Sequence, residues 1–126
     1  MAERNFDFME TIGRKKRLVS GSWAPNGGST LVAADTYGYG FTVAWTSTGL
    51  FTITFANTYR RLQSVTVSLQ LASGDDKYLQ VGTYTAASRT LTVRVWDASG
   101  AAVADVAADA NNRIHFSCVF DDSFQA

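Results

Sequence analysis

Apolar and polar residues alternate along most of the chain from Tyr39 onward, the two-residue period of half-buried β-strands. Phe41, Val43 and Trp45 share one face of a segment whose other face is Thr42, Ala44 and Thr46. Ser47-Thr48-Gly49 interrupts it. Phe51, Ile53 and Phe55 resume the pattern against Thr52 and Thr54, so the two segments predict a hairpin. Ala56 to Gln63 breaks the alternation again, and Tyr59 and Leu62 are expected as plugs beneath a loop or a single helical turn. Val65, Val67, Leu69 and Leu71 then oppose Thr66, Ser68 and Gln70. Ser73-Gly74-Asp75-Asp76 predicts a turn, and Leu79, Val81 and Thr83 a return strand. After a short link at Ala86 to Arg89, Leu91, Val93 and Val95 alternate with Thr92, Arg94 and Trp96 up to a turn at Asp97-Ala98-Ser99-Gly100. The clearest strand comes last. In it Ile114, Phe116, Cys118 and Phe120 should face inward, Arg113, His115 and Ser117 outward, and Asp121-Asp122 should end it.

Two stretches fall outside this rhythm. Residues 1–17 read as an N-terminal arm, with Phe6 and Phe8 spaced for one face of an extended segment and Arg14-Lys15-Lys16-Arg17 following. Leu18 to Trp23 opens the domain proper, residues 18–126, and stops at the loop Ala24-Pro25-Asn26-Gly27-Gly28. Ala101 to Ala110 is rich in alanine, which favours helix by propensity. It carries no bulky stripe beyond Val103 and Val106, and is read as an extended return followed by a loop ending at Asn111-Asn112. The sum is an all-β domain, a compact antiparallel sandwich or barrel of about seven or eight short strands.

Composition narrows the function classes. The 126 residues are 46% hydrophobic and 17% charged, enough apolar material for one core without staples. Eleven basic and eleven acidic side chains cancel, which argues against a nucleic-acid binder that works by neutralising phosphates. The single Cys118 excludes an internal disulfide and reads as a small buried side chain, compatible with a reducing cytoplasm. No apolar run is long enough for a membrane span, and Met1 to Glu10 lacks the apolar core of a signal peptide.

No residue set for catalysis emerges. A Ser-His-Asp or Cys-His site would have to use His115, the one histidine, and strand parity sets it opposite Cys118. Asp75-Asp76 and Asp121-Asp122 sit where turns belong and read as solvated turn residues. Neither a calcium-loop pattern nor a zinc-ligand set is present, and Pro25-Asn26-Gly27-Gly28-Ser29-Thr30 lacks the lysine of a phosphate-binding loop. The expectation is a non-enzyme without cofactor or metal. What remains are candidate protein contacts. Arg14, Lys15, Lys16 and Arg17 are either solvated or a docking cluster for an acidic surface. Trp96 falls on the polar face of its strand, either covered by its own chain or an interface anchor, and Tyr37 and Tyr39 carry the same two readings.

Gly21-Ser22-Trp23-Ala24-Pro25-Asn26-Gly27, then Gly49 to Phe55, Tyr59 and Leu62, and finally Asp105, Ala108 and Asn111 to Phe116 follow an order that resembles small virion proteins of tailed bacteriophages. Head decoration, or cement, proteins are the nearest in kind, and the similarity covers about residues 18 to 120. The resemblance implies a β-rich clamp made in the host cytoplasm and carried on the capsid surface. There it binds and stabilises the major capsid protein shell, commonly as a homotrimer, with neither nucleic acid nor membrane as partner. The alternative it leaves open is a β-sandwich binding module of a tail or fibre, with Tyr37, Tyr39 and Trp96 as a platform for a receptor or glycan.

Overall fold

The computed structural model describes residues 16–99 and 102–121. In chain order its strands are β1 (Lys16–Trp23), β2 (Tyr37–Gly38), β3 (Phe41–Ser47), β4 (Leu50–Phe55), β5 (Arg61–Gln70), β6 (Lys77–Thr85), β7 (Thr90–Asp97), β8 (Ala102–Val103) and β9 (Arg113–Asp121). One turn of 3-10 helix at Ala33–Asp35 is the helical content of the described residues. All pairings are antiparallel and form two sheets, β2-β1-β9-β5 and β3-β4-β7-β6, with β8 joined to β7. The all-β reading holds, and the architecture is a sandwich. Among the described residues there are nine strands against the seven or eight expected; the shortest, β2 and β8, are two residues each and too short to show a period.

Alternation dictates the core. Ile114, Phe116, Cys118 and Phe120 of β9 are buried, as are Phe51, Ile53 and Phe55 of β4 and Leu91, Val93 and Val95 of β7. Aromatic contacts stitch the two inner faces together: Trp23 to Phe51 at 5.5 Å between ring centroids, Phe41 to Phe116 at 4.8 Å and Phe55 to Phe120 at 4.9 Å. Each fully buried side chain of this size contributes about 1.5–3 kcal/mol from the area it removes from water. Gly21 is required by close approach, because a Cβ there would run into the Phe41 ring and the Tyr37 carbonyl.

The β3–β4 hairpin forms as expected, with Gly49 at φ +66° in its loop. A Cβ on Gly49 would sit 2.8 Å from the carbonyl oxygens of Ala104 and Val95, so only glycine fits. The extended return after residue 101 is also present, as β8 against the end of β7. Beyond it, Val106 is buried and its carbonyl accepts from the Gly27 amide at 3.0 Å.

Three expectations change. First, β1 opens at Lys16, so Lys16 and Arg17 belong to a strand paired with β9 and not to an arm; Arg14 and Lys15 lie outside the described residues. Second, β6 does not pair with β5, although the turn between them is where the sequence put it. The Ala72 amide donates to Asn112 Oδ1 (2.8 Å), on the side of the first sheet. By Asp76 the chain is bonded to the β7–β8 turn of the second, through Ala98 N to Asp76 O (2.9 Å) and Ser99 N to Asp76 Oδ2 (3.1 Å). The segment therefore crosses between layers. A bulge between Val81 and Tyr84 then adds one residue to β6, and Tyr84 takes the inward place expected for Thr83. Third, Asp121 is no solvated turn residue. It ends β9 with 9% exposure and is held by Arg61, whose Nη2 and Nε donate to Oδ2 at 2.8 and 3.1 Å, with Lys16 Nζ 3.9 Å from Oδ1.

Candidate functional site

The sequence-selected residues occupy separate places on the sandwich. Lys16 and Arg17 sit at the start of β1, beside Asp121 and Arg61 at one end of the first sheet. Lys16 therefore faces a carboxylate of its own domain, and Arg17 Nη1 donates to the Lys16 carbonyl at 3.2 Å. Tyr37 and Tyr39 lie at the β2 edge of the same sheet, 58% and 95% exposed. The Arg113 guanidinium rests over the Tyr37 ring, 3.9 Å from its centroid. Its Nη1 also donates to Ser22 Oγ and the Asp35 carbonyl, both at 2.9 Å, which fixes the ring and engages the charge. A recess of about 380 Å³ beside it is lined by Pro25, Asn26, Val32, Asp35, Tyr37 and Arg113.

Trp96 is on the other layer. With Leu91, Val93 and Val95 facing the core, Trp96 emerges on the outer face of the second sheet, as strand parity required. Directly across on β6 stands Tyr78, half exposed, its ring within 14° of parallel to the indole and 6.5 Å away between centroids. Trp96 Nε1 donates to Gln80 Oε1 at 2.8 Å. Gln80 in turn is the cross-strand neighbour of Arg94. Tyr78 and Gln80 were missed by the sequence reading, although parity marks them: if Leu79 and Val81 face in, Tyr78 and Gln80 face out.

The remaining candidates settle into structural positions. His115 and Cys118 lie on opposite sides of β9; His115 Nε2 is 2.8 Å from Gln70 Oε1, and Cys118 is fully buried. Burial pushes the Cys118 thiol up to about 12, so it is a poor nucleophile. Lys77, donating at 2.8 Å, holds the Asp75 carboxyl below its usual value, and the Ser99 hydroxyl does the same for Asp97. Asp105 and Asn112 form internal ties. Asp105 Oδ1 accepts from Trp45 Nε1 (3.0 Å) and the Gly49 amide (2.8 Å), pinning the β3–β4 hairpin to the segment after β8. Asn112 Nδ2 donates to the Ala107 carbonyl at 3.0 Å while its Oδ1 holds Ala72. Among the described residues no group of three or more His, Cys, Asp or Glu is placed to hold a metal ion. None of their helices is long and apolar enough to cross a membrane.

No family model, curated protein or solved structure matches this chain. The geometry therefore carries the functional argument by itself. It offers exposed anchors on both layers: Leu18, Tyr37 and Tyr39 on the first sheet, and Tyr78, stacked on the half-buried Trp96, on the second.

Proposed function

We propose that this domain is a structural virion protein that binds the outer surface of the major capsid protein shell and stabilises it, as a homotrimer. The observation that carries the reading is the distribution of exposed anchors over two opposite layers of one sandwich. A catalytic or small-ligand site gathers its groups into one recess; a clamp between neighbouring subunits needs two contact surfaces held at a fixed separation. The antiparallel sheets and their shared aromatic core supply that rigidity. A net charge of zero adds little repulsion between copies packed closely on a shell. The first-sheet surface, with Lys16, Arg17, Tyr37 and Tyr39, is the proposed shell-facing side. Many weak contacts of this kind, repeated on a symmetric shell, reinforce one another.

The test is co-sedimentation of the purified protein with empty capsid shells. The protein should pellet with shells and be released progressively by salt, because its basic residues act in screened surroundings. Tyr39→Ala should reduce the bound fraction. Protein that stays in the supernatant at low salt would sink the reading. A second reading, a binding module of a tail or fibre, is favoured by one observation, the parallel Tyr78–Trp96 pair on a solvent-facing sheet.

A further inference from the structure

The core of the sandwich is open along one side. β5 and β6 are the outermost strands of their sheets there, and they lie against each other without pairing. Val65, Val67 and Leu69 are in register with Cys118, Phe116 and Ile114 of β9 and share their inward face, yet the β9 residues are buried and the β5 residues only half-buried. Leu79 and Val81 of β6 pack on the core and are half-buried too. We infer that this side is an interface between two copies of the chain, in which β5 pairs antiparallel with β5 of a second copy about a two-fold axis at Val67.

Three features support this. First, β5 is a ten-residue edge strand, and among the described residues β9 is its only strand partner. An edge meant to stay alone carries charges, proline or a bulge that stop another strand from adding to it. β5 confines these to its start, with Arg61 and a bulge between Leu62 and Ser64; Ser64 to Gln70 holds neither charge nor proline. The other edges are blunted. β2 is two residues long, β6 carries Lys77 and the bulge after Val81, and β3 has Gly28 beside Trp45 and Ala33 and Thr36 beside Phe41 and Val43. Second, the uncharged stretch is complementary to itself. Antiparallel pairing centred on Val67 sets Val65 opposite Leu69 of the second copy, Thr66 opposite its Ser68 and Ser64 opposite its Gln70. Apolar then meets apolar on the inner face, and neutral polar meets neutral polar on the outer. No like charges come together, and a charged partner strand finds no counter-charge there. Third, a two-fold axis perpendicular to the sheet keeps both inner faces on one side. The half-buried Val65, Val67 and Leu69 of the two copies meet each other, and the two four-stranded first sheets become continuous.

This pairing does not rest on attachment to a shell, and being two-fold it uses a different contact from the proposed homotrimer. It is tested on the isolated full-length protein by disulfide cross-linking and sedimentation velocity. Thr66→Cys and Ser68→Cys, both on the exposed face of β5, are oxidised separately and as a mixture, with the wild type and its buried Cys118 as control. The mixture should cross-link faster than either variant alone, because the register sets position 66 opposite position 68 and keeps like positions two residues apart. Association of the wild type should grow with concentration. Thr66→Lys with Ser68→Lys should weaken it about tenfold by setting lysines opposite lysines. Thr66→Glu with Ser68→Lys should keep or strengthen it, since the same number of new charges then pairs with opposite sign. Tyr39→Ala, aimed at the shell, should leave the cross-linking unchanged, so a failed shell experiment and a failed pairing are told apart. A mixture that cross-links no faster than the separate variants, equal association of the two charged variants, or a wild type that is monomeric at every concentration would each overturn the assignment.

Discussion

Two aromatic clusters stand on opposite faces of the second sheet, and they do opposite things. On the inner face Phe55, Tyr59, Tyr84 and Phe120 close one end of the core, with the Tyr59 ring stacked on Phe120 at 4.3 Å and the Tyr84 hydroxyl donating to the Tyr59 carbonyl at 2.8 Å. On the outer face Tyr78 is half exposed and stacks on Trp96, which is flanked by Gln80 and by Val103 of β8 and is itself half-buried. Residue type does not separate the two groups, since each contains a tyrosine from β6. Position along β6 does: Tyr78 has the outward parity, whereas Tyr84 is turned inward by the bulge after Val81. A ring surrounded on all sides contributes to stability, and one left open is available for recognition.

The sharpest way to break this contrast is to empty the inner cluster. Phe120→Ala should cost about 3–5 kcal/mol, because rings of Phe55, Tyr59 and Tyr84 cannot all collapse into the space. Val93→Ala in the same core should cost about 1–3 kcal/mol. Urea denaturation reads both, and a loss below 1 kcal/mol for Phe120→Ala would mean that the end of the core is already loose.

Next comes a polar tie. Asp105→Ala leaves Trp45 Nε1 and the Gly49 amide without their acceptor and should cost about 1–3 kcal/mol, whereas Asp105→Asn keeps an acceptor and should cost less. Equal losses for the two variants would show that charge, and not the hydrogen bonds, matters there.

Cys118 provides a pH test of the inner face. Its thiol is raised from 9.0 to about 12 in the fold. Below pH 9 it is neutral in both states and its contribution to stability is complete. Between 9 and 12 the unfolded chain ionises while the folded one does not, so stability falls as pH rises. Cys118→Val should remove that part of the alkaline decline, seen as a shallower slope of stability against pH. The native thiol should also resist small alkylating reagents at neutral pH, and fast labelling would contradict its burial.

The smallest effect belongs to the outer face. Trp96→Ala should cost less than about 1 kcal/mol, since it removes an exposed stacking contact and a single exposed hydrogen bond. If its denaturation midpoint falls as far as that of Val93→Ala, Trp96 is part of the core and the two-cluster contrast fails.

How much of this could be read from the chain varies with the element. In β9, Ile114, Phe116, Cys118 and Phe120 were legible because four consecutive alternations leave one register of faces. The turn after Leu71 was legible too, but its consequence was not: Ser-Gly-Asp-Asp says that the chain turns, not whether it turns within a sheet or across to the other. Asp121 was misread for a related reason. Two aspartates in a row look like a solvated end until Arg61, 60 residues away, is set against the first of them. The candidate site was half legible, with Trp96 marked by parity and its partner Tyr78 passed over.

What the sequence determined by itself is the all-β class, the strands that carry bulky alternation and the inward or outward face of nearly every residue in them. These follow from the two-residue pleat, a local property that needs no partner. The tertiary structure alone decided that β9 lies between β1 and β5, that β5 and β6 belong to different sheets, that Asp105 and Asp121 are tied inside, and that Trp96 stands beside Tyr78. Strand pairing is non-local: many registers satisfy the same alternation, and only the combined burial of both inner faces selects among them.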